Sequence, residues 1–213
     1  MCLRANKYRF SYGRQANRTL KDLLVPSLDE MPEWVQKIDV HRFDNVGAPF
    51  QRGSLPEIEV DSWKWFEIGE LFKVKKGKRL TKSNMRSGST PFIGASDSNN
   101  GLTSKIDLEP IHEGNTISVS YDGSVAEAFY QPVSFWALDS VNVLYPKFKL
   151  NKFIALFIIT ILRKEKYRFN YGRKWHVERM ETSKIKLPIN ENGEPDFAFM
   201  EKYIKKIPYS SSI

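Results

Sequence analysis

Cysteine is nearly absent from this 213-residue chain: Cys2 stands alone, which excludes an internal disulfide framework and a thiolate zinc site and fits a reducing cytoplasm. Long apolar runs are missing too. The longest, residues 153–162 with Thr160 inside it, is too short to cross a bilayer and predicts a buried helix. Met1-Cys2-Leu3-Arg4 leads into charged and polar residues, so no secretory signal is expected. The three histidines, His41, His112 and His176, lack metal-ligand spacing and read as structural or exposed groups. No Gly-x-Ser-x-Gly elbow is present, and no Gly-Lys-Ser/Thr triplet closes a phosphate loop around Gly77. Pro195-Asp196 is followed by Glu201-Lys202-Tyr203, off the spacing of a nuclease carboxylate–lysine set. Neither an Asn/Asp-Pro-Pro-aromatic tetrapeptide nor a Gly-rich cofactor loop, both expected of a base methyltransferase, occurs. The chain is therefore expected to bind rather than react, with no metal and no cofactor of its own.

What the chain has is positive charge in two places. Its formal net charge is +8, and residues are 41% hydrophobic and 13% aromatic, enough for one sizeable core. Residues 71–96 hold seven basic side chains and no acidic one; residues 163–186 hold nine basic against three acidic. Residues 27–61 invert this, with eight acidic against three basic. Two separated basic segments suggest a polyanion surface, because each lysine or arginine that reaches a phosphate releases a counterion. A solvated basic face without a partner is the alternative.

The second feature is a repeat. Lys7-Tyr8-Arg9-Phe10-Ser11-Tyr12-Gly13-Arg14 recurs as Lys166-Tyr167-Arg168-Phe169-Asn170-Tyr171-Gly172-Arg173 with one position changed. The likeness continues from Leu24-Val25-Pro26 to Lys186-Leu187-Pro188, and from Pro32-Glu33-Trp34 to Pro195-Asp196-Phe197. So close a repeat signals duplicated modules; a packing corner alone needs less than an Arg/Tyr/Gly/Arg cluster. About a domain's length of chain precedes the second copy, and six residues precede the first. Residues 1–56 are thus expected to be the tail of a preceding domain plus an acidic linker, and residues 57–213 one complete domain.

Within that domain the pattern predicts an α/β fold leaning to α+β: a mixed, mostly antiparallel sheet with a buried helix and a short C-terminal helix. Residues 63–72 read as a strand-to-helix entry and residues 90–94 as a buried strand. Residues 117–121 and 125–130 alternate about Asp122-Gly123, a hairpin signal, and residues 133–138 and 141–145 add two strands. Residues 150–167 form the strongest helix, capped by Asn151. An edge strand at 185–188, a turn at 191–195 and a helix over 198–207 complete it.

The candidate contact residues follow. Lys75, Lys76, Lys78, Arg79 and Lys82 surround Gly77, where a glycine lets backbone amides and side chains approach one anion. Lys166 and Arg168 suit the helix dipole. Tyr171, Arg173 and Lys174, with Trp175, have the planar-plus-cationic composition of a stacking surface. Asn99 and Asn100 in the polar turn 96–101 are of the type that pairs with adenine, though turn chemistry accounts for them equally well. Tyr121 lies beside the hairpin turn.

Taken together, the opening at Trp63 to Phe72, Gly77-Lys78-Arg79-Leu80-Thr81-Lys82, Pro91-Phe92-Ile93-Gly94-Ala95-Ser96, Asn99-Asn100-Gly101, Gly123-Ser124-Val125, the Lys166 to Arg173 block and Lys184-Ile185-Lys186-Leu187-Pro188 resemble the DNA specificity (S) subunits of type I restriction-modification systems and the separate specificity subunits of some type II enzymes. The resemblance covers residues 57–208 as one target recognition domain. It departs in lacking the body of a first domain and a long heptad-bearing spacer helix. The resemblance implies a non-catalytic cytoplasmic protein, with no membrane association, that reads one half of a split double-stranded DNA target. It implies as partners a methyltransferase subunit, which supplies the S-adenosylmethionine chemistry, a restriction subunit, and a second specificity half-subunit or second copy of the chain. Two alternatives from other classes are a DNA-contacting fragment of a fused methyltransferase-nuclease and an adaptor for RNA or an acidic partner.

Overall fold

A computed structural model describes residues 58–169 and 172–207. The first repeat copy and the acidic linker expected over residues 1–56 lie outside the described residues, as do His41, Asn170 and Tyr171.

Nine strands form three small sheets among the described residues. A two-stranded sheet pairs β1 (Lys64–Glu67) with β9 (Lys184–Leu187) antiparallel, Trp65 opposite Lys186. The central four-stranded antiparallel sheet has the order β2 (Phe72–Lys76), β8 (Val141–Pro146), β5 (Thr116–Ser120), β6 (Ala128–Gln131). The third pairs β3 (Ser87–Ile93) antiparallel with β4 (Leu102–Ile106) and parallel with β7 (Trp136–Ala137). Four α-helices accompany them: α1 (Ile68–Leu71), α2 (Lys152–Lys164), α3 (Val177–Glu181) and α4 (Phe197–Lys206). The expected mixed, mostly antiparallel architecture is borne out.

All five residues of β5 are buried, because it lies inside the central sheet with Ile117 and Val119 packed into the main core. α2 packs on β6 and α4 and contributes Ile154, Ala155, Phe157, Ile158, Ile159 and Leu162 to the buried set. Each of these side chains larger than Ala155 contributes roughly 1.5–3 kcal/mol of burial. The helix starts where the sequence says it should. Asn151 is extended, and its Oδ1 accepts from the amides of Phe153 and Ile154, each at 3.0 Å, satisfying two otherwise orphaned donors. Its last turn carries Arg163 and Lys164, which favour the negative end of the dipole. It then tightens into a 3-10 turn at Glu165–Tyr167.

Three expectations change. The strands do not share one sheet, since the β3–β4 hairpin builds its own with β7. The strand expected over 133–138 shrinks to Trp136–Ala137 and pairs parallel with β3. The hairpin expected at Asp122-Gly123 is a longer connection: Gly123 does take a left-handed φ of 75°, but so does Ala126 at 62°. Bonds from Ala126 N to the Ser120 carbonyl and from Glu127 N to the Ser124 carbonyl close an extra turn. Pairing therefore begins only at Val119 opposite Ala128, and Val125 and Ala126 are buried in the connection.

β6 is an outer strand, and its outward carbonyls are occupied from within. Ala128 accepts from Arg163 Nε at 3.1 Å and Tyr130 from Asn100 Nδ2 at 2.9 Å.

His112 is buried, stacked on Phe135 at 5.4 Å with its Nδ1 2.9 Å from the Tyr145 hydroxyl. Of the two expectations for it, structural or exposed, its burial fits the first. Burial, helped by the Lys75 charge, pushes the imidazole down to about 4. The unfolded chain then takes up this proton first, so stability from the neutral ring is complete above about pH 6.5 and is lost as pH falls towards 4. Urea midpoints measured across that window should decline for the wild type and decline less for His112→Gln.

Candidate nucleic-acid interface

The ends of four segments meet around Tyr121, at the exit of β5. Its amide donates to the Ser140 carbonyl at 3.0 Å and its hydroxyl to the Asp139 carbonyl at 2.5 Å, which ties the β5 exit to the β7–β8 turn. β2 arrives beside it: Gly77 N donates to the Val141 carbonyl and Lys78 N to the Ala137 carbonyl, both at 2.9 Å. β3 arrives from the third sheet, Leu138 N donating to the Ile93 carbonyl at 2.9 Å. A Cβ on Gly123 would stand 3.3 Å from that of Ala95, so the segment after β3 touches the Tyr121–Glu127 connection.

The two basic segments come together at this rim. Lys76 Nζ lies 5.3 Å from the Tyr121 ring centroid, and hydrogen bonding to Tyr121 raises its ammonium above the ordinary lysine value, with burial opposing. Lys174 Nζ meets Asp122 Oδ2 at 2.6 Å. That lysine, joined by the Gly123 amide, holds the Asp122 carboxyl below the usual carboxylate range. On the far side of the same connection, Lys166 and Arg163 both pair with Glu127, the latter at 3.3 Å. Arg163 also lies 4.8 Å over the Phe129 ring. Arg168 pairs with Glu165 at 2.8 Å; burial raises the Glu165 carboxyl, with Arg168 opposing.

The remaining candidates divide. Arg79 and Lys82 are exposed in the loop after Lys78, and Lys78 Nζ lies 6.0 Å from the Trp136 ring. Lys75, one residue before Lys76 and therefore on the opposite face of β2, sits 4.1 Å over Tyr145 beside His112 and away from the rim. Asn99 and Asn100 adopt left-handed backbone angles with Gly101, as the turn signal predicted. Each anchors its amide to the protein, Asn99 on the Leu102 carbonyl at 3.0 Å and Asn100 on Tyr130. Arg173 is exposed, its guanidinium 5.7 Å from the Phe169 ring. Tyr171 lies outside the described residues.

Two readings of the residues are corrected. Trp175 is no stacking platform. It is fully buried, stacked on Phe169 at 4.6 Å, with Nε1 donating to Ser183 Oγ at 2.9 Å. Its carbonyl accepts from Asn142 Nδ2 at 3.0 Å, so it anchors the basic segment to the central sheet. Gly77, for its part, has its amide spent on Val141, not free for an anion. It is glycine because a Cβ there would meet the Leu138 carbonyl oxygen at 2.2 Å.

Sequence reading missed the acids of this face, Asp122, Glu127, Asp139 and Glu178. Glu127 gave one signal, a lone carboxylate within the apolar Val125-Ala126-Glu127-Ala128 run.

Among the described residues no helix is long and apolar enough to cross a membrane, and no group of three His, Cys, Asp or Glu is placed to hold a metal ion.

The chain has relatives among known proteins. The chain is 36% identical over 217 residues to the "Type II restriction enzyme BgcI specificity subunit S.BcgI" of Heyndrickxia coagulans, covering 93% of this chain and 62% of that one. The S subunit of a type I restriction-modification system from M. genitalium shares the fold, with a TM-score of 0.52 and 21% identity over 89% of this chain and 46% of that one. The HsdS subunit from Thermoanaerobacter tengcongensis gives a TM-score of 0.49 at 16% identity, covering 74% of this chain and 40% of that one. The chain thus spans between 40% and 62% of the length of these relatives. Residues 61–210 match the family model described as "Type I restriction modification DNA specificity domain", and by that match the chain belongs to this family of DNA specificity domains.

Proposed function

We propose that the domain grips double-stranded DNA at one half of a split target, and that separate methyltransferase and restriction subunits act on the DNA so presented. The observation that carries this reading is the meeting of Lys76, from the first basic segment, with Lys174, from the second, on adjacent half-buried residues of one connection, Tyr121 and Asp122. Cations from distant parts of the chain at one rim make a phosphate-tracking surface. The loop 96–101 and the Gly123-Ser124 tip stand beside that surface as the groups to meet base edges. The cytoplasm, where the DNA is, is the compartment this reading requires.

Titration of a labelled duplex against salt tests the proposal. Each phosphate contact contributes about 0.9 to the slope of log affinity on log salt. The Lys76→Ala protein should lose about one unit of slope, and bind every duplex more weakly. An unaltered slope, or a wild-type protein that prefers single strands or RNA to duplex, would rule the reading out in favour of an adaptor. Calorimetric binding of S-adenosylmethionine by the chain alone would instead favour an enzyme fragment.

A further inference from the structure

A basic DNA-binding face has no electrostatic use for acids, yet two of the four on this one are ion-paired with its cations. Both belong to the Tyr121–Glu127 connection and bracket its tip. Asp122 pairs with Lys174, and Glu127 with Lys166 and Arg163. The acids lie deeper than their partners. The Glu127 side chain is 11% exposed against 47% and 41% for Lys166 and Arg163, and Asp122 is 31% exposed against 37% for Lys174. Placing a carboxylate beneath a surface costs desolvation free energy that an amide or an alanine would largely avoid.

The connection also has closures that involve no charge. Its fold rests on backbone bonds: Ser120 N to Glu127 O, Ala126 N to Ser120 O, Val125 N to Gly123 O and Glu127 N to Ser124 O. Arg163 already has the Ala128 carbonyl and the Phe129 ring. What the pairs do uniquely is fix the tip from both sides and neutralise cations at the rim. The three cations come from the end of α2 and the segment beyond it, so the pairs join the tip to the second basic segment.

The geometry points to Asp122 and Glu127 as specificity-setting residues of the duplex-binding face: they hold the Gly123-Ser124 tip in register and withhold Lys174, Lys166 and Arg163 from sequence-independent phosphate binding. This rests on the duplex-binding reading above. Sequence-independent affinity is the background against which a target must be found, and it is set almost wholly by cations. An acid at the rim lowers that background. The same acid, by fixing the tip, preserves the contacts only the right sequence can make. Both effects widen the ratio of specific to non-specific affinity.

The test compares the wild-type chain with Glu127→Gln and Asp122→Asn on two labelled duplexes, one of random sequence and one carrying the sequence that the wild-type protein enriches from a random library. Glu127→Gln should bind the random duplex about tenfold more tightly near 0.1 M salt, with a slope steeper by about one unit, as expected for a released cation. Affinity for the enriched duplex should rise less or fall, so that the ratio drops about tenfold. Asp122→Asn, at the more exposed site, should shift both quantities in the same directions and carries the test should Glu127→Gln fail to fold. An unchanged ratio, or equal gains on both duplexes, would overturn the inference and leave duplex binding standing. Failure of the wild-type protein to bind either duplex would overturn the duplex reading and this inference with it.

Discussion

Trp175→Ala is expected to lower the unfolding free energy by about 3–5 kcal/mol, at the upper end for a core truncation. The indole is fully buried, its face is covered by Phe169, and its N–H has Ser183 as acceptor. Truncation opens a cavity beside Phe169 and leaves the Ser183 hydroxyl short of a donor. The damage reaches function because of where the residue sits. Lys174 precedes it, and Asn142, buried on the central strand β8, holds its carbonyl. Loosening this clip frees the basic segment from the sheet. Urea unfolding should show the loss directly, and duplex affinity should fall even at temperatures where the variant remains folded. Retention of wild-type stability would mean that the Phe169–Trp175 stack is not part of the core.

Gly77→Ala should cost about 3 kcal/mol, high for so small a change. The added methyl would stand 2.2 Å from the Leu138 carbonyl oxygen and 2.5 Å from that of Ala137. Neither can give way cheaply, since both are backbone: Ala137 accepts from Lys78 N, and Leu138 N is bonded to Ile93 in the neighbouring sheet. The strain therefore falls on the junction between β2 and the third sheet, displacing Lys76 and Lys78 together. A lowered melting temperature with reduced duplex affinity is the expected pair of results. An unchanged melting temperature would show that the strands at this junction move apart freely.

The elements readable in the sequence were those whose causes are local. Asn151 before an apolar run, the alternating residues 117–121 that supply most of β5, and Asn99-Asn100-Gly101 with left-handed angles each declare themselves within a few positions. What escaped depends on distant partners. An indole among arginines and lysines looks the same whether it faces a base or a core. Here the decision lies with Phe169, Ser183 and Asn142, the last of them 33 residues away. The division into three sheets hinges likewise on β7 choosing β3 over its neighbours in sequence. Both basic segments were visible, but their meeting at Tyr121 was not, because the β-strands that bring it about are non-local. The acids that pair with them were hidden for the same reason.

The occupied carbonyls of Ala128 and Tyr130 carry one more implication. An open β-strand edge invites a strand from another molecule, and many copies so joined end as an aggregate. With Arg163 and Asn100 already seated on those oxygens, an intruding chain would have to evict an internal partner before gaining a bond. On this edge, at least, addition of a foreign strand is opposed before it starts.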